Sequence, residues 1–319
     1  MDRPWSWRSF FLHWEWLLVL IFLAVHVVNS LLSPYYFSLD TFLDAPTSFL
    51  DKAFLVLPMT MVIVLGNIDI SVGSTVALSA VLMAVAHGAG LPMPLAMLLC
   101  LMVGTACGLL NGLLMTRFKE LSSVIVTLAT MIIYRGIAYA ILRDQAAGGF
   151  PTWYSSLGWE SVAGVPIIVV VFAVCALVFV LLLHRTSFGR RVYGIGSNPT
   201  ASRYSGVKVD SIVLTVSLLT GLMAAVTALF LASRMGSTRP NVALGYELEV
   251  ITMVVLGGVS TSGGKGSMAG PLLAVFIIGF LNYGLGLVNT PAQVFLVIEG
   301  LLLILSVLLL KLRFRKRYT

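Results

Sequence analysis

The sequence predicts an all-α, polytopic membrane protein of about ten transmembrane helices, with both termini cytoplasmic and some helices short or broken. Three observations carry this. The chain is 59% hydrophobic and only 10% charged, against about a quarter charged in soluble domains. Its mean hydropathy is +1.00. Its apolar residues fall into runs close to the ~20 residues that cross a bilayer as a helix. The 319 residues are therefore read as a single transmembrane domain, 1–319, with the lipid bilayer as its main surroundings.

The first helix is read at residues 16–33, with Trp14 and Trp16 at the interface and no small-residue cleavage site behind it. Further apolar segments stand at about 53–66, 70–87, 93–115, 121–142, 165–183, 209–232, 247–259, 267–287 and 292–310. Counting Lys and Arg in alternate loops sets the orientation. With the N-terminus inside, fifteen basic residues, including Arg3, Arg8, Arg190, Arg191, Lys316 and Arg317, face the cytoplasm, and four, Lys52, Arg143, Arg234 and Arg239, face outward. The net charge of +7 thus belongs to topology, and no nucleic acid partner is expected.

Two segments are too short for ordinary spans. Residues 53–66 contain Pro58 and run into Gly66-Asn67-Ile68-Asp69-Ile70-Ser71, and residues 247–259 run into Gly257-Gly258-Val259-Ser260. Thr60-Met61-Val62-Ile63 precedes the first and Thr252-Met253-Val254-Val255 the second. Short, glycine-interrupted helices at matching places point to a transport pathway, although tight cytoplasmic turns would read the same way. Asn67, Asp69, Ser71, Gly257, Gly258, Asn282 and Glu299 are the pathway candidates. Asp69 suits an acceptor for N–H groups at the next helix start. Glu299, deep in the last helix, is costly there unless it faces the bundle or water. Arg135 is its expected partner. Asn111, Tyr134, Tyr139, Phe276, Phe280 and Tyr283 could line a path, but packing accounts for the aromatics. Gly104, Gly108 and Gly112, and Gly221, Ala225, Ala228 and Ala232, form small faces for close helix packing.

The longest polar, basic run, 184–210, lies between two apolar blocks. Within it Asn198 is a competent N-cap with Pro199 at the first helical position, and Gly206 is a natural stop. Gly189, Arg190, Tyr193, Gly196, Asn198, Ala201, Ser205 and Gly206 are its candidate functional positions.

Soluble catalytic signatures are missing. His13, His26, His87 and His184 are scattered singly, so no metal or triad is visible. Cys100, Cys107 and Cys175 sit in apolar segments as small hydrophobic side chains. Gly263-Gly264-Lys265-Gly266 fails the P-loop pattern, which needs Gly at Val259 and Ser or Thr at Gly266.

Three stretches, Gly66 to Ser74, Gly189 to Gly206 and Leu256 to Gly270, give the chain a resemblance over nearly its whole length. It resembles the permease subunits of bacterial ABC importers of the ribose type. That family includes autoinducer-2 and rhamnose permeases and is more distantly related to branched-chain amino-acid permeases. It usually has a second Gly where Asn67 stands, so this position departs from the ribose pattern. The resemblance implies a non-enzymatic permease of the bacterial inner membrane that works by alternating access on a monosaccharide or sugar-like solute, a pentose, deoxyhexose or autoinducer-2 type. It implies cytoplasmic ABC ATPase subunits, a periplasmic solute-binding protein and a second permease copy or paralogue as partners. Loop 184–210 would carry the ATPase-coupling helix, and ATP and Mg would be used by the ATPase, with no cofactor on this chain. The competing readings are an ion-gradient-driven secondary transporter using Glu299 or Asp69, an intramembrane enzyme, and an ABC permease for branched-chain amino acids.

Overall fold

Helices stand at all ten predicted places in the computed structural model, which describes residues 14–315. Arg3, Arg8, His13, Lys316 and Arg317 lie outside the described residues. The main helices are α1 (Trp14–Leu32), α2 (Leu39–Val64), α3 (Val72–Gly88), α4 (Met93–Arg117) and α5 (Ser123–Leu142). After a short α6 (Thr152–Ser156) come α7 (Ile167–Arg185), α8 (Ser187–Ser197), α9 (Pro199–Tyr204) and α10 (Val209–Met235). The chain closes with α11 (Tyr246–Leu256), α12 (Ala269–Leu287) and α13 (Ala292–Arg315). The strands are two-residue pieces. β1 (Ala147–Gly148) pairs antiparallel with β4 (Ser237–Thr238), and β2 (Ser161–Val162) forms a hairpin with β3 (Val165–Pro166). Among the described residues, six helices are long and apolar enough to cross a membrane, and three apolar ones are shorter. The chain is a multi-pass, helical membrane protein.

Helix α2 is the axis of the bundle and corrects the sequence reading. It is not a short segment from residue 53 but a 26-residue helix running through Pro46 and Pro58. Ser38 starts it, its side chain accepting from the Thr41 N–H at 3.1 Å. Asp44, Thr47, Asp51 and Lys52 break the hydropathy pattern, yet they lie within the helix, and Asp51 and Lys52 find partners inside the bundle. Pro58 has no N–H to offer the turn behind it, a loss that a helix packed among other helices tolerates. Phe49, Leu50 and nearly every residue from Ala53 to Val64 are buried, because α7, α10, α11 and α12 pack around α2.

Helices α4 and α10 make the closest crossing. A Cβ at Gly108 would stand 2.9 Å from the Gly221 backbone, and one at Gly104 would stand 2.7 Å from the Ala225 Cβ. The two predicted small-residue faces therefore meet each other, as van der Waals contact between helices requires in lipid. At one end α1 docks on α12. Asn29 Nδ2 donates to the Phe280 carbonyl at 2.8 Å, and the His26 ring sits 4.9 Å from that of Phe280. At the other end Trp14, expected at the membrane interface, is instead buried and donates its indole N–H to the Leu256 carbonyl at 2.8 Å.

A Gly108→Val substitution is expected to cost about 1–3 kcal/mol by overpacking this crossing. Gly136→Ala, whose added methyl would meet nothing within 4 Å, is expected to leave stability unchanged or slightly raised. Thermal unfolding of the two variants in detergent checks the contrast.

Candidate functional site

The two predicted breaks are built alike. After α2, Gly66 takes φ +83°, its N–H reaches the Ile63 carbonyl at 2.9 Å, and the Asn67 N–H reaches Val62 at 3.0 Å. After α11, Gly258 takes φ +90°, its N–H reaches Val255 at 2.9 Å, and the Val259 N–H reaches Val254 at 3.3 Å. Both ends are Schellman closures, which need glycine at the left-handed position. Thr60 and Thr252, matched in the repeat, each bond back to the carbonyl four residues earlier, both at 2.8 Å.

The closures touch. The Gly264 N–H donates to the Val64 carbonyl at 2.8 Å. Gly196, at the end of α8, completes the junction, since a Cβ there would overlap Val64 O and stand 2.6 Å from Gly264 N. Two further bonds tie the polar loop to the second break: Tyr193 Oη to the Gly266 carbonyl at 2.8 Å, and the Met268 N–H to His184 Nε2 at 3.1 Å. Burial pushes the Tyr193 phenol up, so it stays a donor at neutral pH. All three stretches singled out in the sequence thus meet in one body.

From that body α9 projects. Its N-cap is Asn198, whose side chain accepts from the Ala201 N–H at 2.9 Å, with Pro199 at the first position. It stops at Gly206, φ +81°, whose N–H bonds Arg203 at 2.9 Å. Ala201, Ser205 and Gly206 are exposed, and Tyr204 is 91% exposed. Gly189 packs against the Leu183 carbonyl too closely for any Cβ, and Arg190 bonds Ser187 Oγ at 2.8 Å. Asp210 bridges Lys119 at 2.8 Å and Arg203 at 2.9 Å, holding α9 to the α4–α5 turn. Between α9, that turn and the first break lies a cavity of about 440 Å³ with Asn67 on its wall. A second cavity of about 650 Å³ lies at the opposite end, lined by Asp44, Trp159, Arg234 and Tyr283.

Behind Asn67 the chain is extended and lies along α5. Ser123 Oγ and Thr127 Oγ1 accept from the N–H groups of Ile68 and Ile70 at 3.2 and 3.3 Å. Asp69 Oδ1 then accepts from the Ser71 N–H at 2.9 Å and from Ser71 Oγ at 2.7 Å. Asn111 Nδ2 donates to that same hydroxyl at 2.7 Å, and Tyr134 Oη donates to Asn111 Oδ1 at 3.0 Å. This buried polar chain joins α3, α4 and α5. Gly257 abuts Gly270 and Pro271, and Gly258 abuts Trp14, as packing contacts. Asn282 is half-buried on α12 next to Tyr283 of the second cavity and stands apart from the polar chain.

The pairing of Glu299 with Arg135 is overturned. Arg135 Nη1 donates to the Pro240 and Val242 carbonyls at 2.6 and 2.7 Å. Helix α11 has 11 residues, about 16 Å, only half of a bilayer core. The 236–245 segment must therefore re-enter the bundle, and Arg135 satisfies its carbonyls there.

Lys52 and Arg234 are likewise not outer-loop residues. Arg234 Nη2 pairs with Asp51 Oδ2 at 2.9 Å, and Lys52 pairs with Glu249. Sequence reading missed this cluster by starting the second segment at residue 53. The signal was present in Asp51-Lys52, a charged pair with apolar sequence on both sides. Among the described residues, no group of three or more His, Cys, Asp and Glu side chains is placed to hold a metal ion.

The described residues form a bundle of apolar helices with a glycine junction and a projecting polar helix. Residues 42–307 match the family model described as branched-chain amino acid transport system / permease component, and the chain belongs to that permease family. It is 36% identical over 300 residues to the autoinducer 2 import system permease protein LsrD of Escherichia coli (strain K12), covering 92% of this chain and 91% of that one. The same-named protein of Yersinia enterocolitica serotype O:8 / biotype 1B is 39% identical over 276 residues, covering 84% and 83%. No solved structure matches the chain.

Replacing Arg135 by Met is expected to cost about 1–3 kcal/mol for each carbonyl left unpaired. Arg143→Met, at an exposed position, serves as the near-neutral control, and unfolding temperature in detergent is the measurement.

Proposed function

We propose that the chain is the membrane permease subunit of an ABC importer, carrying a sugar-like solute of the autoinducer-2 kind across the bacterial inner membrane by alternating access. The observation that carries this reading is end-to-end similarity to import permeases in a chain whose exposed α9 is fused to both helix breaks. A partner that binds and hydrolyses ATP would grip α9 at Tyr204 and Ala201. The junction of Gly66, Gly196 and Gly264 would pass the displacement to α2 and α11 together, since none of its contacts leaves room to slip.

In this reading both termini and loop 184–210 face the cytoplasm, ten helices cross or enter the membrane, and no ATP or Mg binds this chain. A periplasmic solute-binding protein delivers the solute to the opposite end. A second permease copy or paralogue completes the path. Asn67 on the cavity wall, with Asp69 and Ser71 behind it, borders the inner opening. The family description points to branched-chain amino acids and the relatives' names to a sugar-like signal. The relatives match this chain over most of both lengths, so the second is preferred.

The test is uptake by membrane vesicles or cells carrying the chain with its partners. Tyr204→Ala is expected to lower uptake about tenfold or more, the loss typical of one aromatic anchor at an interface. Ala201→Asp is expected to abolish co-purification of the ATPase. Uptake that persists without any ATPase partner and stops when the proton gradient collapses would favour an ion-driven transporter instead.

A further inference from the structure

Helices α2, α10, α11 and α13 bury a cluster of charges whose sum is not zero. Helix α2 contributes Asp51 and Lys52, α10 contributes Arg234, α11 contributes Glu249 and Tyr246, and α13 contributes Glu299. Helix α12 has Tyr283 as its one ionisable side chain, and that side chain lines the second cavity. Three carboxylates thus face two cationic side chains.

Both cations are committed. Arg234 spends one guanidinium nitrogen on Asp51 and another on the Thr47 carbonyl at 2.8 Å. Lys52 holds Glu249 and lies 5.4 Å over the Tyr246 ring. The next cation, Arg135, is engaged with Pro240 and Val242. Glu299 is 8% exposed, its Oε1 is buried without a hydrogen-bond partner among the described residues, and its helix packs against α11, which carries Glu249. Glu247 cannot complete it, because its Oε2 is turned to Gly73 at the start of α3.

A surplus carboxylate in an apolar bundle needs a compensating positive charge. We infer that this cluster is a binding site for one monovalent cation, a proton or a sodium ion, held by Glu299 beside Glu249. The site closes the seam between α13 and α11, the helix on which α13 chiefly packs. Occupancy therefore sets how firmly α13 is docked. This inference stands apart from the transport reading and needs no partner protein.

The test uses the full-length chain purified in detergent. Its unfolding temperature is followed from about pH 5.5 to 9 in choline chloride, and again in sodium chloride of equal ionic strength. If the resident cation is a proton, wild type loses stability as pH rises, while Glu299→Gln, which needs no proton, lacks that loss. If it is sodium, NaCl raises the wild-type unfolding temperature by about 3 °C or more over choline, and Glu299→Gln shows no such gain. The exposed Glu160→Gln is the control and should follow wild type.

Labelling of wild type with dicyclohexylcarbodiimide, read by peptide mass spectrometry, needs no variant. The reagent should modify Glu299 in the proton case and modify it less when NaCl is present in the sodium case. Parallel pH and salt responses in wild type and Glu299→Gln, with Glu299 unlabelled in every medium, would overturn the inference.

Discussion

The structure depends on one constraint: a backbone that leaves helical geometry inside an apolar bundle must find hydrogen-bond partners there. The chain does this twice, in opposite halves. The 67–70 stretch borrows the hydroxyls of Ser123 and Thr127, and the 236–245 stretch borrows the guanidinium of Arg135. Helix α5 supplies both sets and is therefore the scaffold on which both irregular segments hang. The polar chain from Asp69 to Tyr134 ends on it as well.

Glycine governs the complementary problem of close approach. At Gly66 and Gly258 it provides a left-handed turn that ends a helix sharply. At Gly196 and Gly108 it removes a side chain so that backbones touch. The first kind shapes the breaks. The second turns three distant stretches into one body at the base of α9 and locks α4 to α10. The two roles together explain how a bundle can be interrupted at Gly66 and Gly258 and still be tied together.

Much of this was legible in the residues. Ten apolar segments lie where ten helices stand, because hydropathy reports burial and lipid contact alike. Asn198, Pro199 and Gly206 announced α9, because capping chemistry is local. The repeat before Gly66 and Gly258 announced matching closures, for the same reason. What stayed hidden was pairing across the bundle. Asp51, Lys52 and Arg234 read as loop residues because a charge lowers local hydropathy whether or not a partner neutralises it. The full length of α2 was lost with them. Arg135 was matched to the wrong group because a one-dimensional scan counts side-chain charges and overlooks the backbone carbonyls of Pro240 and Val242.

The shortness of α11 also bears on how the protein is made. An 11-residue helix with two acidic residues in its first turn is too brief and too polar to partition into lipid by itself. Its receiving partners are Lys52 on α2 for Glu249, and Arg135 on α5 for the turn that leads in. Both lie earlier in the chain, so synthesis from the N-terminus presents the receptor before the guest. The residues that receive α11 are thus in the membrane domain before α11 itself is made.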